Sequence, residues 1–477
     1  MSNLARETTL YTIGNLLPKV GLFFLLPFYT SVLSTSEFGI VESLSSFRQV
    51  LVILLPLSLH RSIPRFFFEY QNNQEKQILL GTIFISTTII GALILLISFM
   101  LPGLWGGIFK SISFYPYFAL FLITIYLINF GEIPKNYYRL THQPSKFVII
   151  AIIEFILIQS GIVIFILYQR NGAISYFTGR LFGSAIFSFI LIFISLKIIK
   201  LRFDFKKFKP IFLYSLPLIP GSLAGWGLTM SNRVFIERYF SMEEVGIFSL
   251  SFRIASVVLL LVGAFRLAYE PIFFEISNSK SLNFSEKINQ LKNYNSFTVF
   301  AFLLLFFTIA LFSKEVIIWF FPDKFYESYK LIPLLCLAYS IAQISGLFDL
   351  AMKQVKKTKY IMMNTIIGAG VSIGLNFLLI PIWGIYGAAI ALIISFLTVM
   401  ILLYFETKRF FYIPFLKANH FLVYFGFVTI VYVFNYYLAL EVWLGFAIKL
   451  LLVGLIFLMF YLKNKNRIQN ILIKEKT

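Results

Sequence analysis

Aspartate, histidine and cysteine are almost missing from this chain of 477 residues. It holds Asp204, Asp323 and Asp349, then His60, His142 and His420, and one cysteine, Cys336. A lone cysteine excludes an intrachain disulfide and a thiolate metal site. Aspartates this scattered give no Asp-x-Asp pair for a metal-bound sugar nucleotide. No Gly-Lys pair exists either, so there is no phosphate loop of the ATPase kind. An ATP-driven pump and a metal-dependent glycosyltransferase are both disfavoured, and no metal or cofactor is expected.

Charge of either sign is also scarce. Only 13% of residues are charged, against about 25% in a soluble domain. Hydrophobic residues make up 59%, with 58 Phe. A bilayer core needs about 20 apolar residues per helix, and runs of that length recur to the end of the chain. The expected fold is an all-α integral membrane protein with about fourteen transmembrane helices. The expected spans are Tyr11–Leu33, Phe38–His60, Ile78–Leu101, Ser113–Gly131, Phe147–Tyr168, Ala173–Leu196 and Ile211–Met230. The remaining seven are Val245–Tyr269, Phe297–Phe312, Leu331–Leu350, Tyr360–Ile380, Gly384–Phe405, Phe421–Leu438 and Leu444–Leu462. The first reads as a retained helix, because no small-residue cleavage site follows it.

The net charge is +20. In a soluble protein that would suggest nucleic acid. Here 28 of the 41 Lys and Arg residues fall in loops on one side, if the N-terminus is cytoplasmic, and 7 on the other. Lys135 and Arg139 count among the first group and Arg233 and Arg238 among the second. This bias sets topology. It puts both termini in the cytoplasm and leaves the bilayer, with no nucleic acid, as the partner.

An internal repeat is visible. Glu37-Phe38-Gly39-Ile40 leads to Ser43-Leu44-Ser45-Ser46-Phe47-Arg48. Glu244-Val245-Gly246-Ile247 leads to Ser249-Leu250-Ser251-Phe252-Arg253. The helix before each carries a proline pair, Pro18 with Pro27 and Pro217 with Pro220. The chain parses into two pseudo-symmetric six-helix bundles around a central cavity, residues 1–200 and 201–405. Two more helices and a basic tail fill 406–477. Proline-interrupted helices in matching positions of two halves point to a transporter.

Charges inside spans are costly and usually face water or a partner. They are Lys19, Glu42, Arg48, Glu154, Arg180, Arg253, Arg266, Asp349 and Lys449. Lys19 extends a stripe with Asn15 and Tyr11 at helical spacing. Arg48 shares its helix with Glu42, Ser45 and Gln49. Arg48 and Arg253 lie about 13 Å into their helices at matching places of the repeat, and two such cations call for a shared anion. Glu42 and Glu154 are alternative partners within the protein. Glu42, Asn15, Gln49 and Arg180 are candidate polar lining of the cavity. Glu154, in the apolar run Ile152-Ile153-Phe155-Ile156, is the candidate for ion coupling, set against a simple ion pair with Arg180 or another cation. Arg266, Asp349 and Lys449 read as packing or snorkelling groups.

With these residues in hand, the chain resembles the polysaccharide flippases that translocate lipid-linked O-antigen or capsule repeat units in bacteria. The resemblance spans about residues 4 to 405. It rests on Thr8–Phe28 with Tyr29-Thr30, on Glu37-Phe38-Gly39-Ile40, and on Ser215-Leu216-Pro217-Leu218-Ile219-Pro220 through Asn232-Arg233 and Gly246-Ile247-Phe248-Ser249. Asn376-Phe377-Leu378-Leu379-Ile380-Pro381 with Gly384-Ile385-Tyr386-Gly387-Ala388-Ala389 completes it. It implies two bundles, alternating access and a place in the bacterial cytoplasmic membrane. The implied substrate is an undecaprenyl-pyrophosphate-linked oligosaccharide, with contacts to the polysaccharide polymerase machinery. It also implies pyrophosphate binding by Lys19, Arg48 and Arg253, because the related lipid II flippase carries cavity cations on helices one, two and eight. Family members often read Asp-Arg where this chain has Asn232-Arg233. A multidrug exporter would want an acidic cavity, and a membrane polymerase would want a large Arg-rich outer loop. The longest outer loop here is Ser313–Lys330.

Overall fold

Hydrocarbon offers the backbone no hydrogen-bond partner, so a chain this apolar must satisfy its amides internally. In the computed structural model, which describes residues 2–411, 426–437 and 442–474, the described residues form helices and no strand. Among the described residues ten helices are long and apolar enough to cross a bilayer. An eleventh span arises where Thr35–Leu54 and Leu59–Phe66 join across a 62° bend.

One of the ten, Thr358–Phe410, has 53 residues. A straight helix of that length would reach about 80 Å, more than twice the hydrocarbon thickness. It reverses at Gly384, whose φ of 56° and ψ of −136° are open to glycine and hostile to other residues. Asn364 then donates to Glu406 over 2.7 Å, which sets the two arms side by side. This element supplies the eleventh and twelfth spans. The shorter apolar helices Gly426–Asn435 and Trp443–Met459 lie where the last two spans are expected. Part of the expected span Phe421–Leu438 lies outside the described residues, as do Lys417, His420 and Lys476.

Several boundaries move. The ninth span starts at Phe284 and not at Phe297, so Lys287 and Lys292 lie in a helix and not in a loop. The fourth span runs Phe114–Leu140, so Lys135 and Arg139 belong to a helix and not to a loop. Pro18 and Pro27 sit within Ser2–Val32 without ending it. The seventh span does break, into Phe205–Ser215 and Leu218–Met230. Pro217 lies at that junction and has no amide to continue the ladder. Phe205–Ser215 packs on Asn73–Met100, whereas Leu218–Met230 packs along Thr358–Phe410.

The repeat has a local purpose. Ser34 accepts from the Glu37 amide at 3.1 Å and Glu37 accepts from the Ser34 amide at 2.8 Å, a closed capping box. Ser241 accepts from the Glu244 amide at 3.4 Å in the other half. The two capped helices, Thr35–Leu54 and Met242–Ser256, cross at Gly39 and Gly246. A Cβ on Gly39 would strike the Met242 carbonyl, and one on Gly246 the Thr35 carbonyl. Small residues at a crossing let backbones meet closely.

Other contacts gather at this end. Phe38 meets Phe325 edge-on at 5.5 Å. The Lys324 ammonium donates to the Leu33 carbonyl at 2.6 Å. The Ser111 amide donates to Glu237. Deeper in, Trp226 donates to the Ser46 carbonyl at 3.1 Å. At the opposite end, the pairs Glu7–His142 and Glu270–Lys353 each stay within one half. There Arg61 does reach Ser222, at 2.5 Å. Phe24, Met100, Phe189 and Ile382 stand exposed on the outer surface, where a bilayer would cover them.

Candidate functional site

Two clusters of charge in the spans involve the helices of the repeat. The first lies just below the glycine crossing. Arg253 forks onto Glu42, Nε to Oε2 at 3.0 Å and Nη2 to Oε1 at 3.1 Å. The Glu42 side chain is 7% exposed and that of Arg253 34%. Glu42 therefore lies buried in an ion pair and does not line an open cavity. Arg253 does not share an anion with Arg48 in this conformation, because its fork is already filled.

Arg233, expected in an outer loop, is instead wholly buried beside this pair. Its Nε donates to Ser249 at 3.1 Å, and its guanidinium lies over the Phe252 ring at 4.5 Å. Its Nη1 reaches only Asn232 Oδ1 and Met230 Sδ, each at 3.4 Å. Glu42 is within its electrostatic reach. The sequence signal was there, since Asn232-Arg233 carries part of the family resemblance.

The second cluster belongs to the first half. Around Arg48 lie Arg180 and Tyr176 of the sixth span, Glu154 of the fifth and Glu132 of the fourth. Glu154 pairs with Lys135 at 2.5 Å. That partner was hidden in the sequence, where the polar stretch around Pro134 read as a loop. Arg180 is buried and reaches the Tyr176 hydroxyl at 3.5 Å. Tyr29 donates to Gln159 at 2.5 Å close by. The Nε atoms of Arg48 and Arg180 are both buried and have no acceptor among the described residues. Buried donors nearly always find one, so this pair of guanidinium groups still has hydrogen bonds to offer. The cluster holds three cations, Arg48, Lys135 and Arg180, against Glu132 and Glu154.

Lys19, Asn15 and Gln49 are exposed. Asn15 donates to the Tyr11 carbonyl at 2.9 Å. The other intramembrane charges lie elsewhere, and Asp349 Oδ1 is buried with no hydrogen-bond partner among the described residues. Arg266 donates to the Gly346 carbonyl at 2.8 Å, and Asp349 lies within its electrostatic reach. Lys449 is buried against Glu315 at 2.8 Å and Asn435 at 2.8 Å. Among the described residues no group of His, Cys, Asp and Glu could hold a metal ion.

Residues 30–330 match the family described as "Polysaccharide biosynthesis protein". The "Lsg locus putative protein 1" of Haemophilus influenzae is 24% identical over 332 residues, which cover 67% of this chain and 77% of that one. Among solved structures, "Lipid II flippase MurJ, inward closed conformation" superposes with a TM-score of 0.76 at 20% identity, covering 96% of this chain and all of that one. An inward-facing multidrug resistance MATE family transporter of the MOP superfamily gives 0.66 at 12% identity, over 84% and 94%.

Proposed function

Since this chain belongs to the polysaccharide biosynthesis protein family, as a multi-pass membrane protein with the fold of the MOP flippases, we propose that it flips an undecaprenyl-pyrophosphate-linked oligosaccharide between leaflets. The cycle is alternating access between bundles 1–200 and 201–405, in a bacterial cytoplasmic membrane. The protein moves its substrate and performs no covalent chemistry on it.

One observation carries this reading: Arg48 and Arg180 keep buried guanidinium nitrogens without acceptors. A diphosphate is what they fit. Arginine forks onto phosphate oxygens, and a nearby lysine adds a mobile point charge. Lys19, exposed on the first span, is the proposed third contact, and Arg253 joins when its fork is released from Glu42. The diphosphate is common to all lipid-linked repeat units, whatever their sugars. The multidrug alternative needs free acid for a cationic drug. Here Glu42 is held by Arg253 and Glu154 by Lys135.

The Lys/Arg bias supports cytoplasmic termini, which puts the Gly39–Gly246 crossing at the outer face. A membrane-impermeant thiol reagent on intact cells should then label Lys324→Cys and not Lys206→Cys, in a Cys336→Ala background. Glu154 remains the proposed coupling group. For the substrate itself, Arg48→Ala should abolish surface polysaccharide at a normal membrane level of protein, while lipid-linked oligosaccharide accumulates on the inner leaflet. Arg48→Lys should keep part of the output. Wild-type export by Arg48→Ala would refute the reading.

A further inference from the structure

The repeat puts Arg48 and Arg253 in matching places, yet their surroundings differ. The Nε of Arg48 has no acceptor, while Arg253 has both edges of its fork taken by Glu42. Glu42 lies three residues from Gly39, about one helical turn inward of the crossing. It also stands within reach of a second cation, Arg233, whose Nη1 makes only the two long 3.4 Å contacts.

Resting on the function proposed above, we infer that Glu42 is a placeholder for the substrate's diphosphate, a positioning residue that keeps the outer side closed until substrate displaces it from Arg253. The chemistry is direct competition. A carboxylate and a phosphate accept the same guanidinium fork, and a diphosphate brings more negative charge than one carboxylate. The displaced Glu42 is not stranded, because Arg233 stands ready to take it. Without substrate, opening would leave Arg253, only a third exposed, without an anionic partner, which is unfavourable. With substrate, each charge keeps a partner. A ligand shifts a conformational equilibrium only through different affinity for the two states, and this exchange supplies the difference. The same device keeps the idle protein closed to the outside.

The test places a reporter thiol at Ser45, one turn inward of Glu42 and half-buried, as Ser45→Cys with Cys336→Ala. A membrane-impermeant maleimide is applied to intact cells that either make the lipid-linked oligosaccharide or lack its first sugar transferase. In otherwise native protein, labelling should be slow without substrate and faster with it. Glu42→Gln should label about tenfold faster without substrate, a shift equivalent to about 1.4 kcal/mol, and gain little from substrate. Glu42→Asp should restore the native pattern. Should Glu42→Gln fail to reach the membrane, the exchange Glu42→Arg with Arg253→Glu keeps the pair, and should label slowly with or without substrate. Native labelling rates in Glu42→Gln, or a substrate response in the exchanged pair, would overturn the placeholder. Native protein that ignores substrate would overturn it as well. In that last case Arg48→Ala separates the causes: lost export leaves the flippase reading standing, and normal export removes both.

Discussion

Gly39 and Gly246 meet backbone to backbone where the second and eighth spans cross, so that a single Cβ on either would enter the other helix's carbonyl. They are also the matching glycines of the internal repeat. The two halves of the chain thus touch through the same residue of each, as a pseudo-two-fold contact would require. Glu42, one turn beyond Gly39, and Arg253, two turns beyond Gly246, form the ion pair that the crossing covers.

This contact leaves no room for a larger residue at either position. Gly39→Ala or Gly246→Ala should cost about 1–3 kcal/mol in the closed form through overpacking, seen as a lower melting temperature in detergent and reduced export. Gly225, with open space around its Cα, is the control: Gly225→Ala should match the native protein. Equal melting of Gly39→Ala and Gly225→Ala would show that the crossing does not form.

The Lys449–Glu315 pair fastens the last helix to the second half. Both side chains are under 5% exposed. Removing one partner strands a buried charge, at about 3–5 kcal/mol. Lys449→Met should therefore melt well below the native protein, and Lys449→Met with Glu315→Gln should recover most of the loss. A double variant no better than the single one would mean that the pair is not the anchor.

Glu154 can be separated from its partner in the same way. If Glu154 serves ion coupling, Glu154→Gln should flatten the response of export to external pH, and adding Lys135→Met should not bring the response back. If the carboxylate only balances Lys135, the double variant should regain native export and native pH response. Quantified surface polysaccharide at several external pH values decides between them.

Much of this was legible in the chain itself. Apolar runs located the spans because lipid forces helices, and the repeat located the two helices that cross. What stayed hidden had physical causes. Glu42 and Arg253 are 211 residues apart, and nothing local selects that partner over Arg48. Lys135 and Arg139 sit in a polar stretch with Pro134 that reads as a loop, yet it continues the fourth span: Lys135 is paired with Glu154, and Arg139 is exposed and donates to Asn136. Of the repeat's glutamates, which looked like part of a motif, Glu37 closes a capping box with Ser34, while Glu244 gives its backbone amide to Ser241. Arg233 looked like a loop cation from its place after a span. Its burial depends on Ser249 and the Phe252 face, which belong to the next helix.

The proposed grip on the diphosphate of a lipid-linked oligosaccharide rests on the guanidinium groups of Arg48 and Arg180, whose Nε atoms are buried. Purified protein in liposomes carrying an undecaprenyl-pyrophosphate-linked oligosaccharide on one leaflet tests it directly, with transfer read by a lectin or glycosidase added outside. The native protein should transfer substrate, and Arg48→Ala and Arg180→Ala should each be slower by about thirtyfold or more, the loss expected for truncating one partner of a buried charged contact. Transfer at the native rate by both variants, at equal reconstitution, would contradict the account.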